Sequence, residues 1–290
     1  MIKKKITCAL TVFVILALSN CSTAPKNPGE IYELRKQAET LLELGNKQAD
    51  RGEFENAALS LNEAVRLGII TDDPSLLLRS RLSLGNLHFA IDQIDEAQAS
   101  WAAALEESKQ IDNAELAAVC RIHLARGKLL LSKDKDAARA VRDEVQRDIT
   151  QIKKDRLYTA FSWSVIALAE KELGNFAAAE TAAKNSLTIH EKDRRFELAG
   201  YNWFMIASFR SLSGNYKGAV DALDTAVSFD RRVENSWGLA NDWKALGDVH
   251  KKNQNPAKAR VAYLRSSEIF QALGFTEDAD DVLSRMDSTL

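Results

Sequence analysis

Little in this chain bends or braces it. Its 290 residues include only thirteen glycines and four prolines. That is too few for the many tight turns of a β-sandwich or barrel, so a mostly helical fold is favoured. Two of the three cysteines fall within the first 21 residues, which excludes a disulfide framework and a cysteine-rich zinc fold. There is no excess of positive charge: 39 Lys and Arg stand against 41 Asp and Glu, a net charge of −2. Nothing there would neutralise a phosphate backbone, so nucleic acid is not an expected partner. A glycine-rich phosphate loop, a zinc-protease histidine pair, a nucleophile elbow and a paired-carboxylate motif are all missing. No enzymatic activity, metal or cofactor is therefore expected. What is there is 46% apolar and 28% charged, the balance of a folded chain with a sizeable core.

The first segment carries an address. Lys3, Lys4 and Lys5 precede an apolar run from Ile6 to Leu18. The run is too short to cross the roughly 30 Å hydrocarbon layer as a helix and suits a secretory leader. It ends at Leu18-Ser19-Asn20-Cys21, which resembles a bacterial lipoprotein signal with Cys21 as the acylated residue. The family usually has Gly, Ala or Ser where this chain has Asn20. Cleavage after Ser22-Thr23-Ala24 is the competing reading, with Pro25 against it. The resemblance implies an exported protein whose lipid chains anchor it stably. Ser22 after the cysteine implies sorting to the outer membrane. The expected organisation is a signal peptide over 1–20, a lipidated tether over 21–29, a folded body over 30–274 and a closing helix over 275–290.

The body repeats itself every forty residues. Trp163, Trp203 and Trp243 keep that interval, as do Ala179, Ala219 and Ala259, and Gly174 and Gly214. Leu44-Gly45-Asn46 returns as Leu84-Gly85-Asn86 and again as Leu246-Gly247-Asp248, while Ala57, Ala97 and Ala137 continue the pattern. Between Leu124 and Ile166 the register slips by two. Apolar positions at three- and four-residue steps predict two amphipathic helices in each unit. In the fifth unit these cover Tyr201–Leu212 and Tyr216–Phe229, separated at Ser213-Gly214-Asn215. Small alanines predict the close contact within each pair, and Leu61, Trp101, Val141, Leu223 and Tyr263 the filling between pairs.

An aromatic, then Leu-Gly, Gly, Ala, a large residue and Ala resembles the tetratricopeptide repeat, here Trp203, Ile206-Ala207, Gly214, Ala219, Leu223 and Ala226. The forty-residue period resembles its long variety, as in kinesin light chain. Repeat three departs most, with Ala125, Ser132 and Glu144 at motif positions. The resemblance implies an all-α solenoid, a right-handed superhelix of about six helix pairs. A polar closing helix follows, with Thr276 as its N-cap.

In that family the first helix of each pair lines a concave groove. Carried onto this chain, the groove residues are Asn46, Arg79, Asn86, Phe89, Arg126, Leu129, Phe161, Tyr201, Phe204, Ser208, Lys244 and Asp248, with Leu130 and Leu168 beside them. Six repeats at about 10 Å each give a wall of about 60 Å, room for about 18 extended residues. Asn46 and Asn86 either clamp a ligand backbone or are ordinary solvated residues. An apolar, aromatic middle of this size implies a binding surface, or one covered by a neighbouring helix. The expected function is a membrane-anchored scaffold that takes a segment of a partner protein into the groove. The alternative is a binding protein for a small apolar ligand, or a transporter accessory. Trp163, Trp203 and Trp243 read as wedges between helices, and Cys120 and His123 as a buried thiol beside a chance neighbour. His88 and His250 share a repeat position, which argues for packing. Glu277, Asp278, Asp280 and Asp281 lack calcium-loop spacing and read as a solvated cap.

Overall fold

The structure is a computed structural model that describes residues 33–132 and 134–287. Cys21 and the leader lie outside the described residues, and the compact unit spans residues 34–290. Thirteen helices follow in order among the described residues: α1 (Glu33–Asp50), α2 (Phe54–Ile70), α3 (Pro74–Ala90), α4 (Ile94–Gln110), α5 (Ala114–Leu131), α6 (Lys135–Asp148), α7 (Arg156–Leu173), α8 (Phe176–Lys192), α9 (Phe196–Leu212), α10 (Tyr216–Val233), α11 (Ser236–Lys252), α12 (Pro256–Ala272) and α13 (Thr276–Asp287). Each packs mainly on its sequence neighbours, and α5 with α7 and α9 with α11 also meet. The odd-numbered helices therefore form one layer and the even-numbered helices the other, a solenoid of six pairs closed by α13.

Most links follow one scheme. Gly52, Asp72, Asp92, Asp112, Gly174, Arg194, Gly214, Glu234, Gln254 and Gly274 all have φ between 45° and 86°. At the first, Gly52 N–H donates to the Ala49 carbonyl and Glu53 N–H to the Gln48 carbonyl, closing the helix end. The next helix often starts on a side-chain cap: Asp73 accepts from Leu76 N–H at 3.0 Å and Asn113 from Leu116 N–H at 3.0 Å. Thr276 is the first residue of α13 rather than its cap.

Within pairs, the Leu-Gly motif is a matter of volume. A Cβ on Gly45 would fall 2.6 Å from Leu61 Cγ, and one on Gly85 or Gly247 would collide with the ring of Trp101 or Tyr263. At the same motif position Ala167 and Ala207 replace glycine, and both are buried. Leu61, Trp101, Val141, Leu223 and Tyr263 are at most 1% exposed.

The irregular third repeat is where the structure departs from the sequence register. Ala138, not Ala137, is the fully buried alanine of α6. Helix α6 is shortened, and a 3-10 turn (Ile149–Gln151) and an extended stretch precede α7. This carries the two extra residues of the slip. The detour is held by Asp148, which accepts a forked pair of bonds from Arg121 at 2.6–3.1 Å. Glu115 also accepts from the backbone N–H groups of Lys154 and Asp155 at 3.2 and 3.0 Å.

The solenoid bends far enough for its ends to meet. Phe54, at the start of α2, lies edge-on to Trp237 of α11, with ring centres 5.4 Å apart, and to Phe275 of the α12–α13 link, at 5.9 Å. Trp237 and Phe275 are themselves 4.8 Å apart. The α1–α2 link is on one edge of the array and the α10–α11 and α12–α13 links are on the other. The contact is therefore edge to edge across one completed superhelical turn. The concave wall is the inside of a spiral rather than an open 60 Å trough.

Candidate functional site

The residues expected in the groove separate into those facing the lumen and those engaged elsewhere. Side chains forty residues apart meet on the inner layer. Arg79 of α3 reaches Glu39 of α1 at 3.2 Å, and Arg126 of α5 donates from Nη2 to Asn86 Oδ1 of α3 at 2.9 Å. Asn86 is exposed and Phe89, Arg126, Phe161, Phe204 and Ser208 are half-buried. Tyr201 is 50% exposed and stacks beside Phe204 at 6.4 Å. Asn46 is also exposed, near the first edge.

The densest cluster surrounds Arg126. Its guanidinium lies 3.9 Å above the Phe89 ring and 5.0 and 5.1 Å from the Trp101 and Phe161 rings. Beneath it, His123 stacks on Phe161 at 4.1 Å and lies 5.4 Å from Trp101. Burial, then the Arg126 charge, hold the His123 imidazole well below its usual pKa, so it is neutral. Desolvation pulls Arg126 down to about 10; desolvation also raises the Tyr201 phenol on α9, two repeats away, and the Arg126 charge offsets only part of that rise. The two side chains touch lumen water yet are walled in by protein.

Two expected groove residues are elsewhere. Leu129 is 4% exposed and belongs to the core, because α5 turns that face towards its neighbours; Leu130, next to it, is 44% exposed. Asp248 is engaged with the closing helices, accepting from Tyr263 Oη at 2.7 Å and pairing with Arg285 of α13 at 3.3 Å. Lys244 lies 5.5 Å above the Phe270 ring.

Trp101 and His123 belong to the cluster, although the sequence marked Trp101 as filling between pairs and His123 as a chance neighbour of Cys120. The signal was the size of Trp101: a Cβ on Gly85 would clash with its ring, so that glycine clears room for it to reach across to the Arg126 cluster. Cys120 offers no chemistry, since burial pushes its thiol up to about 12. Among the described residues no group of three or more His, Cys, Asp or Glu could hold a metal, and no helix is long and apolar enough to cross a membrane. Trp163, Trp203 and Trp243 are half-buried against the core, with Arg265 4.6 Å above the Trp243 ring.

A second buried polar group lies between α9, α10 and α11. Asp230 and Asp242 are 4% and 2% exposed. Asn235, which caps α11 by accepting from Gly238 N–H at 3.0 Å, also donates to Asp230 at 3.2 Å. Gly200 and Gly238 leave the space that the Asp230 carboxyl fills. Burial raises both acids, Asp242 the further because Asp230 is its neighbour.

No family model and no curated protein matches the chain. Solved structures do. A Rap protein complexed with Competence and Sporulation Factor superposes with a TM-score of 0.60 at 16% identity, over 87% of this chain and 74% of that one. Aspartyl phosphate phosphatase F from Bacillus subtilis gives 0.51 at 12% identity, over 89% and 72%. A signal-transduction ATPase with a tetratricopeptide repeat sensor from Pyrococcus horikoshii gives 0.50 at 13%, over 87% of this chain and 41% of that one. Helix pairing, period and these superpositions agree: the chain has the tetratricopeptide-repeat fold, an all-α superhelical solenoid.

Proposed function

We propose that this protein is an interaction scaffold, exported and held at the cell envelope by lipid on Cys21, that takes a segment of a partner protein into the lumen of its spiral. The observation that carries the reading is the inner wall itself. Tyr201 is half exposed beside Phe204, and Phe89 and Phe161 flank a cation within the same concave layer. Amphipathic lumen surface of this kind fits an extended or helical segment. The Rap protein solved with Competence and Sporulation Factor shows a related fold in complex with another factor, which supports an interaction role. A leader ending at Cys21 supports the anchor, and Ser22 supports the outer membrane as its destination.

A photoreactive residue at position 204 in intact cells tests the lumen. The expected product is a crosslink to a protein; in separate assays, partner capture is expected to be lost in Asn86→Ala and in Phe204→Glu. Unchanged capture by both variants, or a small molecule retained in native mass spectrometry in place of a protein adduct, overturns the reading. Incorporation of a labelled lipid precursor into the wild type but not into Cys21→Ala tests the anchor separately.

A further inference from the structure

Several arginines that link neighbouring helices are neutralised by acids. Arg79 pairs with Glu39 at 3.2 Å, Arg121 with Asp148 at 2.6 Å and Arg210 with Glu180 at 2.8 Å. Arg126 is not. Among the described residues no carboxylate lies within ion-pair distance of it, and its Nε is buried with no hydrogen-bond partner. Its polar contact is the neutral amide oxygen of Asn86 at 2.9 Å. A desolvated cation without a counter-ion is costly, and its lowered pKa of about 10 has the direction that such a cost produces. Phe89 at 3.9 Å offsets part of that cost through the face of the guanidinium. Phe89 covers the face of the guanidinium, Nη2 is engaged with Asn86 and Nε is buried, which leaves the Nη1 end for a carboxylate.

We propose that Arg126 is the anion receptor of the lumen: the partner segment inferred above docks an aspartate or glutamate carboxylate on it. An adjoining apolar residue lies against Phe161, Phe204 and Tyr201. The inference rests on the groove reading and adds the chemistry of the ligand. Charge complementarity selects a carboxylate over a phosphate group. Arg79, on α3, is already neutralised by Glu39, so Arg126 presents one uncompensated positive charge to a monoanion. Asn86 holds the guanidinium from the preceding repeat and is a positioning residue.

The test is selection from a displayed library of twelve-residue segments on the full chain, followed by affinity measurement. Recovered segments are expected to be enriched in Asp or Glu. Replacing that acid with Asn or Gln lowers affinity at least tenfold. Arg126→Gln lowers affinity for the acidic segment by a similar factor and leaves the neutral version unchanged, the coupling that a double-mutant cycle isolates. Arg126→Lys keeps the charge but loses the fork, and falls between. Circular dichroism confirms that each variant is folded. Should Arg126→Gln prevent folding, the Lys variant and the neutral segments provide the same comparison. Segments without acid enrichment, an empty selection, or an Arg126→Gln protein that binds acidic segments as tightly as wild type each overturn the proposal. Capture lost in Phe204→Glu but not in Arg126→Gln removes only the anion receptor. Capture insensitive to both removes the groove as well.

Discussion

At Gly85 and Gly247 an absent side chain does the structural work, because the rings of Trp101 and Tyr263 occupy the space where a Cβ would stand. The paired acids Asp230 and Asp242 show the opposite economy, two polar groups kept where apolar residues would pack more easily. Burial pushes the Asp242 carboxyl up to about 9 and Asp230 up to about 6, so the native pair retains a proton through neutral pH. An unfolded chain releases those protons near pH 3.9. Because the folded values are raised, the stability these groups confer is complete below about pH 4 and is lost as pH climbs towards 9. The wild-type melting temperature is therefore expected to fall between pH 5 and pH 8.5. Asp242→Asn, whose amide can donate to Asp230, flattens that fall and melts higher by at least about 2 °C at pH 8. Parallel melting curves for the two proteins across this range would show that the pair does not share a proton. Neither acid stood out in the sequence, since a lone Asp on a helix gives no sign of a second acid brought beside it by folding.

Among the elements, the regular helix pairs were legible and the third repeat only in part. The period reveals itself because each pair buries the same alanine and the same larger residue, as Ala219 and Leu223 do in α10. The period did not show which expected groove residues are engaged elsewhere: Leu129 is in the core, and Asp248 is taken up by Arg285 of α13. In α6 the flanking residues change, and a forty-residue count selects Ala137 where the helix buries Ala138. One residue of register rotates a helix face by about 100°, so the assignment has a sharp consequence. Ala138→Leu is expected to overpack the α5–α6–α7 core and cost about 1–3 kcal/mol. Ala137→Leu is expected to stay within about 0.5 kcal/mol of wild type. Urea midpoints at constant slope measure both. Equal costs, or the reverse order, would return the register to the simple period.

Curvature belongs to the whole molecule, and no periodicity reveals it, because small differences in packing angle accumulate over six pairs. Phe54 begins α2 in the first pair, and Trp237 and Phe275 frame the last. Only the completed turn makes them neighbours. Two edge-on aromatic contacts across that seam contribute about 0.5–1.5 kcal/mol each beyond burial. Asp50 and Glu197 act against the closure: each repels the other, and burial with that repulsion raises Asp50 to about 6. Closure is thus a balance of a few contacts rather than a continuation of the core. Phe54→Ala is expected to raise the radius of gyration in small-angle scattering and to speed hydrogen exchange in α1 and α2. Exchange in α7 and α8 should stay unchanged, since each pair is supported chiefly by its neighbours. Phe54→Leu, which keeps apolar bulk at the seam, should lie between the two. If the Ala variant scatters as the wild type does, the curl is set by the helix-pair angles alone and the seam merely records it.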